Sequence, residues 1–74
     1  MSVLIKNFGN DTECFNLEEF KKALIEKYLG KEISIVYPLE SGINTTVFVK
    51  VQDDYTLIDS YDDKVIEHSS FGLT

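Results

Sequence analysis

Cys14 and His68 are the only thiol and the only imidazole in this 74-residue chain, so nucleophilic catalysis would have to be built on them. Glu13, Glu67 and Asp59 are the nominal acids to orient such a histidine. Cys14 stands beside the start of an expected helix, where the dipole can lower a thiol pKa. The plainer expectation is a small buried hydrophobe next to Phe15, with His68 an exposed strand residue. One cysteine forms no internal disulfide, and one Cys and one His far apart in sequence make a poor zinc site.

Carboxylates are the other groups with chemistry to offer. Asp53, Asp54, Asp59, Asp62 and Asp63 fall within eleven residues. They lack the alternating spacing and central glycine of an EF-hand loop, so only weak, non-specific divalent binding is expected. Acid–base catalysis needs a concave site that raises one carboxyl pKa, and turn aspartates beside water do not supply it. The four glycines, Gly9, Gly30, Gly42 and Gly72, are isolated, which rules against a phosphate cradle. The expectation is a non-enzymatic protein with no catalytic, cofactor or metal site.

Charge is unevenly spread. Residues 1–31 hold five acids and five lysines, whereas residues 32–74 hold eight acids against Lys50 and Lys64. The whole net charge of −6 therefore belongs to the C-terminal part, and the chain contains no arginine. Lys21, Lys22 and Lys27 are a solvated helix face, too small a basic patch to draw nucleic acid against −6. An acidic surface instead attracts basic protein surfaces and speeds association with them. Asp is also a favoured turn residue and acids keep small proteins soluble, which gives the same residues a purely structural reading.

The elements that must position these residues follow from periodicity and punctuation. Asn16 as N-cap, Glu19 three residues later and Gly30 at the end predict a helix over Leu17–Leu29. Its apolar face is Leu17, Phe20, Leu24 and Tyr28, broadened by Ile25 and Leu29, with Phe15 and Phe20 in the positions of a hydrophobic staple. Strands are expected at Val3–Phe8, Glu32–Tyr37, Thr46–Gln52, Tyr55–Ser60 and Val65–His68. Gly9-Asn10-Asp11, residues 40–44, Asp53-Asp54 and residues 61–64 are the turns between them. Residues 69–74 are expected to fray, although Phe71 is able to dock on the core.

The fold class expected is α+β: one domain over residues 1–74, in the order β-α-β-β-β-β. A single helix covers one face of a four- to five-stranded, mainly antiparallel sheet. The first strand pairs either parallel to a later one, through a right-handed crossover, or antiparallel at one edge. The second sheet face is left partly bare, and Phe48, Ile58 or tyrosines on it would need a partner. Asp53/Asp54 and Asp62/Asp63 would lie at opposite ends of a strand about 20 Å long, a negative ridge with Tyr55 and Tyr61 interleaved.

In size, charge and αβ make-up the chain resembles small acidic phage-encoded inhibitors, such as anti-CRISPR proteins and uracil-DNA glycosylase inhibitors, without carrying a motif of either. The resemblance implies an inhibitor or nucleic-acid mimic that binds a basic protein surface. The expected binding residues are Glu40, Asp53, Asp54, Tyr55, Asp59, Tyr61, Asp62, Asp63 and Glu67. The alternative is a homo-oligomeric accessory protein, such as a homodimer, using the apolar sheet face. Direct nucleic-acid binding is not expected. The apolar run at Met1–Lys6 is too short for a signal peptide and no stretch spans a membrane, so a cytoplasmic protein without a membrane partner is expected.

Overall fold

The computed structural model describes residues 2–74, and it is α+β with one helix and a six-stranded sheet. The strands are β1 (Val3–Lys6), β2 (Thr12–Cys14), β3 (Glu32–Pro38), β4 (Asn44–Val51), β5 (Leu57–Asp59) and β6 (Val65–Ile66). Their spatial order is β2-β1-β3-β4-β5-β6, and every neighbouring pair is antiparallel. The parallel alternative for the first strand is thereby overturned. That strand is not at an edge either, because β2 lies outside it.

The extra strand, β2, arises from a two-residue hairpin. Asn10 N–H donates to the Asn7 carbonyl at 2.9 Å, and the central residues Phe8 and Gly9 have φ of 50° and 90°. Positive φ at both positions is the signature of a type I′ turn, whose twist suits tightly paired strands. The turn folds Thr12–Cys14 back onto β1, with Val3 opposite Cys14. A three-residue strand is too short to show a period in the sequence.

The remaining hairpins share one device. The loops after β3, β4 and β5 each end on a left-handed residue: Gly42 (φ 87°), Tyr55 (φ 56°) and Asp63 (φ 59°). A left-handed last residue is how three- and four-residue loops return the chain into antiparallel register. These loops shorten the expected strands at Tyr55–Ser60 and Val65–His68 to β5 and β6.

The helix, α1, runs over Leu17–Ala23 and continues as a π-helical turn over Leu24–Tyr28. Asn16 Oδ1 accepts from Glu19 N–H at 2.8 Å, and Glu19 Oε1 accepts from Phe15 N–H at 2.8 Å. The capping pair is as expected, but the staple is not. Phe15 is largely exposed, whereas Phe20 is fully buried and meets Phe71 edge-on at 5.5 Å between ring centres. Gly30 has the expected left-handed φ of 75°, and its N–H donates to the Val51 carbonyl.

One face of the sheet makes the core. Val3, Ile5, Ile33, Ile35, Val49, Val51 and Leu57 alternate inward and pack with Phe20, Ala23, Leu24 and Tyr28 of the helix. Ile25 and Leu29, expected on that face, are substantially exposed instead. Residues 69–74, expected to fray, close the core. A 3₁₀ turn over His68–Phe71 buries Phe71, Leu73 is buried behind it, and Leu17 N–H donates to the Thr74 carbonyl.

Candidate functional site

The second face of the sheet has no helix over it, and its side chains can be read row by row from the strand register. Leu4, Val36 and Thr46 form one row, Lys6, Ser34 and Phe48 the next, and Glu32, Lys50, Ile58 and Val65 the third. Phe48 is 45% exposed and Val65 60% exposed. An open groove of about 690 Å³ crosses this face, with Ser34, Val36, Thr46 and Phe48 among its lining residues. Phe8, in the β1–β2 turn, and Tyr61, in the β5–β6 turn, line it as well.

The two aromatics contributed by turns are unusually bare. Phe8 is fully exposed and Tyr61 is 83% exposed, and the Tyr61 ring meets Phe48 edge-on at 6.1 Å. Phe8 also sits in left-handed backbone, a conformation that suits Gly, Asn or Asp and penalises a large side chain. Ser60 lines the same groove, and its Oγ is buried without a hydrogen-bond partner among the described residues. Charge at the groove is mixed, with Lys6 and Glu32 both in its lining. Lys50 Nζ lies 3.9 Å from Asp63 Oδ1 in a solvent-exposed pair, which is worth little energetically.

The acidic residues singled out by sequence fall in several places. Glu40 is exposed in the β3–β4 loop, Asp53 and Asp54 are exposed in the β4–β5 loop, and Glu67 is exposed just before the 3₁₀ turn. Asp59, Tyr61, Asp62 and Asp63 come together at the β5–β6 turn. The two aspartate pairs do lie at opposite ends of one strand, but β5 is three residues long, about 10 Å. The strand between them is half the expected length.

Three of these aspartates serve the turns themselves. Asp59 Oδ1 accepts from the N–H groups of Tyr61 and Asp62, and Asp62 Oδ1 accepts from Lys64 N–H. Asp54 Oδ1 accepts from Thr56 N–H at 3.1 Å, and hydrogen bonding from Thr56 holds its carboxyl below the ordinary value. Tyr55 is half-buried, with its ring against His68 at 5.1 Å between centres.

His68 is therefore not the exposed strand residue expected. It is half-buried in the 3₁₀ turn, with Nε2 2.7 Å from the Tyr55 carbonyl oxygen, which fixes that nitrogen as a donor. Cys14 is buried as expected, and burial pushes its thiol up to about 11, the reverse of what a nucleophile needs. Among the described residues, no three His, Cys, Asp or Glu side chains are grouped to hold a metal ion, and no helix is long and apolar enough to cross a membrane.

Phe8 is the groove residue that sequence reasoning passed over, by placing it at the end of the first strand. Its signal was an aromatic at the centre of Asn7-Phe8-Gly9-Asn10, where turn chemistry favours Asn, Asp or Gly. Comparison of the chain with protein-family models, with curated proteins and with solved structures finds no match.

Proposed function

We propose that this is a non-enzymatic interaction protein that binds a protein partner through the sheet face its helix leaves open. The observation that carries this is the cluster of Phe8, Phe48 and Tyr61 around one groove, three exposed aromatic rings brought together from two turns and a strand. Aromatic side chains supply much of the energy in protein interfaces, and an exposed cluster of them marks such a surface. The net charge of −6 favours a basic partner, because complementary charge speeds encounter and suppresses wrong pairings. An inhibitor that occupies the basic groove of a nucleic-acid enzyme is the concrete form of this reading that the acidic turns support. Three of those aspartates also have a folding role, so the aromatic groove is the stronger support.

Selection of a displayed random-peptide library tests it. The library is panned on the wild type and, separately, on a Phe48→Ser/Tyr61→Ser double variant. Peptides recovered by the wild type and lost with the variant support the open face. Peptides that bind both equally, and are lost on Asn replacement of Asp53, Asp54, Asp62 and Asp63, would move the binding surface to the acidic turns.

A further inference from the structure

Phe8 is the starting point, because folding alone gives no reason for it. A large side chain in left-handed backbone costs about 1 kcal/mol or more. Nothing repays that cost here, since the ring is fully exposed. Tyr61 stands largely exposed in the other turn, and Phe48 presents its ring edge-on to it. Three aromatic rings, two of them raised on turns, thus border one groove across β1, β3 and β4.

The charges near these rings select the kind of side chain that fits. Glu32 lines the groove, and Asp62 and Asp63 follow Tyr61 in its turn. Asp63 reaches only a loose 3.9 Å pairing with Lys50, with both groups exposed. A guanidinium stacks on rings while its N–H fork reaches carboxylate oxygens, and Glu32 in the lining and the exposed, loosely paired Asp63 offer such oxygens. This chain contains no arginine at all. A second copy therefore cannot supply the guanidinium, and it would bring its own net charge of −6 against the first. The half-buried Leu4 and Val36 on the same face add an aliphatic strip beside the groove.

We infer that the groove is a receptor for an extended, arginine-bearing segment of a partner protein, its guanidinium groups on Phe8 and Tyr61 and its intervening apolar side chains on the strip. This rests on the open face being the binding surface. Lys6 is the one cation in the groove lining and opposes such a ligand.

The test is a titration of the isotopically labelled chain, followed by NMR, with three capped hexapeptides that alternate valine with arginine, lysine or citrulline. The arginine peptide is expected to shift the amide signals of Phe8, Phe48 and Tyr61 and to bind about two- to five-fold tighter than the lysine peptide. The citrulline peptide, alike in shape but uncharged, should bind more weakly than both. Phe8→Asn and Tyr61→Ala should each lower the arginine peptide's affinity about threefold or more, and Lys6→Glu should raise it. Phe8→Asn should also melt higher than the wild type, since asparagine suits that turn position, so lost binding could not be blamed on misfolding. Equal affinity for the arginine and lysine peptides would overturn the guanidinium assignment while leaving the open-face reading intact. Shifts confined to other surfaces would overturn both. Concentration-dependent shifts of Phe8, Phe48 and Tyr61 without peptide would assign the groove to a second copy and overturn the partner.

Discussion

A thiol enclosed by apolar side chains resists ionisation because its charged form loses hydration without gaining a partner. Cys14 is in that position, with its pKa pushed up from 9.0 to about 11 by burial first and by Glu19 second. It should therefore resist iodoacetamide at pH 8 in the folded chain and react on unfolding, as mass spectrometry would show. The raised folded-state value means that the thiol's contribution to stability is complete below about pH 9 and fades as pH rises toward 11. Urea unfolding across that window should show the wild type losing stability relative to a Cys14→Ala variant. Asp54 works in the opposite direction: its lowered carboxyl stabilises the fold above the ordinary carboxylate pKa of 3.8, and that contribution disappears as pH falls below it.

At the scale of the element, the β1–β2 hairpin and the helix are joined by one hydroxyl. Tyr28 Oη donates to the Asn10 carbonyl at 2.7 Å and lies 2.9 Å from Thr12 Oγ1, which in turn accepts from Lys27 Nζ. Tyr28→Phe removes this hydroxyl and leaves the Asn10 carbonyl without that donor, so a loss of about 1–2 kcal/mol is expected in urea unfolding. The same contact anchors the turn that carries Phe8, and the variant should also weaken arginine-peptide binding. The helix was legible in the sequence because Asn16, Glu19, Phe20 and Gly30 all act locally, within a few residues of one another. The pairing of β1 was not, because it depends on a two-residue turn with Phe8 at a position where turn statistics favour Asn, Asp or Gly. Strands β3 and β4 were read closely, with Ile33, Ile35, Val49 and Val51 inward and Phe48 outward as alternation requires. The groove stayed hidden since its rings come from residues 8, 48 and 61, which only the sheet order brings together.

For the molecule as a whole, the C-terminal segment is a structural part rather than a tail. Phe71 packs edge-on against Phe20 at 5.5 Å and Tyr37 at 4.9 Å, joining the helix, β3 and the last turn. Phe71→Ala should cost about 3 kcal/mol or more, read as a lowered denaturation midpoint, a large share of the stability available to so small a chain. His68 and Tyr55 pack in the same region, which ties the β4–β5 loop to that segment. Charge and packing are thus kept apart. The acids lie at the surface, with Asp59 alone among them half-buried, and no buried residue is polar or charged among those described.

The sheet order also bears on how quickly the chain finds its structure. Every neighbouring pair of strands except β1 and β3 is joined by a tight turn, so all but one pairing can close locally. The exception must wait for the helix between them to bring Ile5 alongside Ile35. Sequence-local pairings cost little loop entropy, and folding rates rise as they come to dominate. Stopped-flow refolding should then show a single fast phase whose barrier is the docking of that one long-range pair. Weakening the helix cap with Asn16→Ala should slow refolding if the helix is already formed at that barrier, and should mainly speed unfolding if it is not.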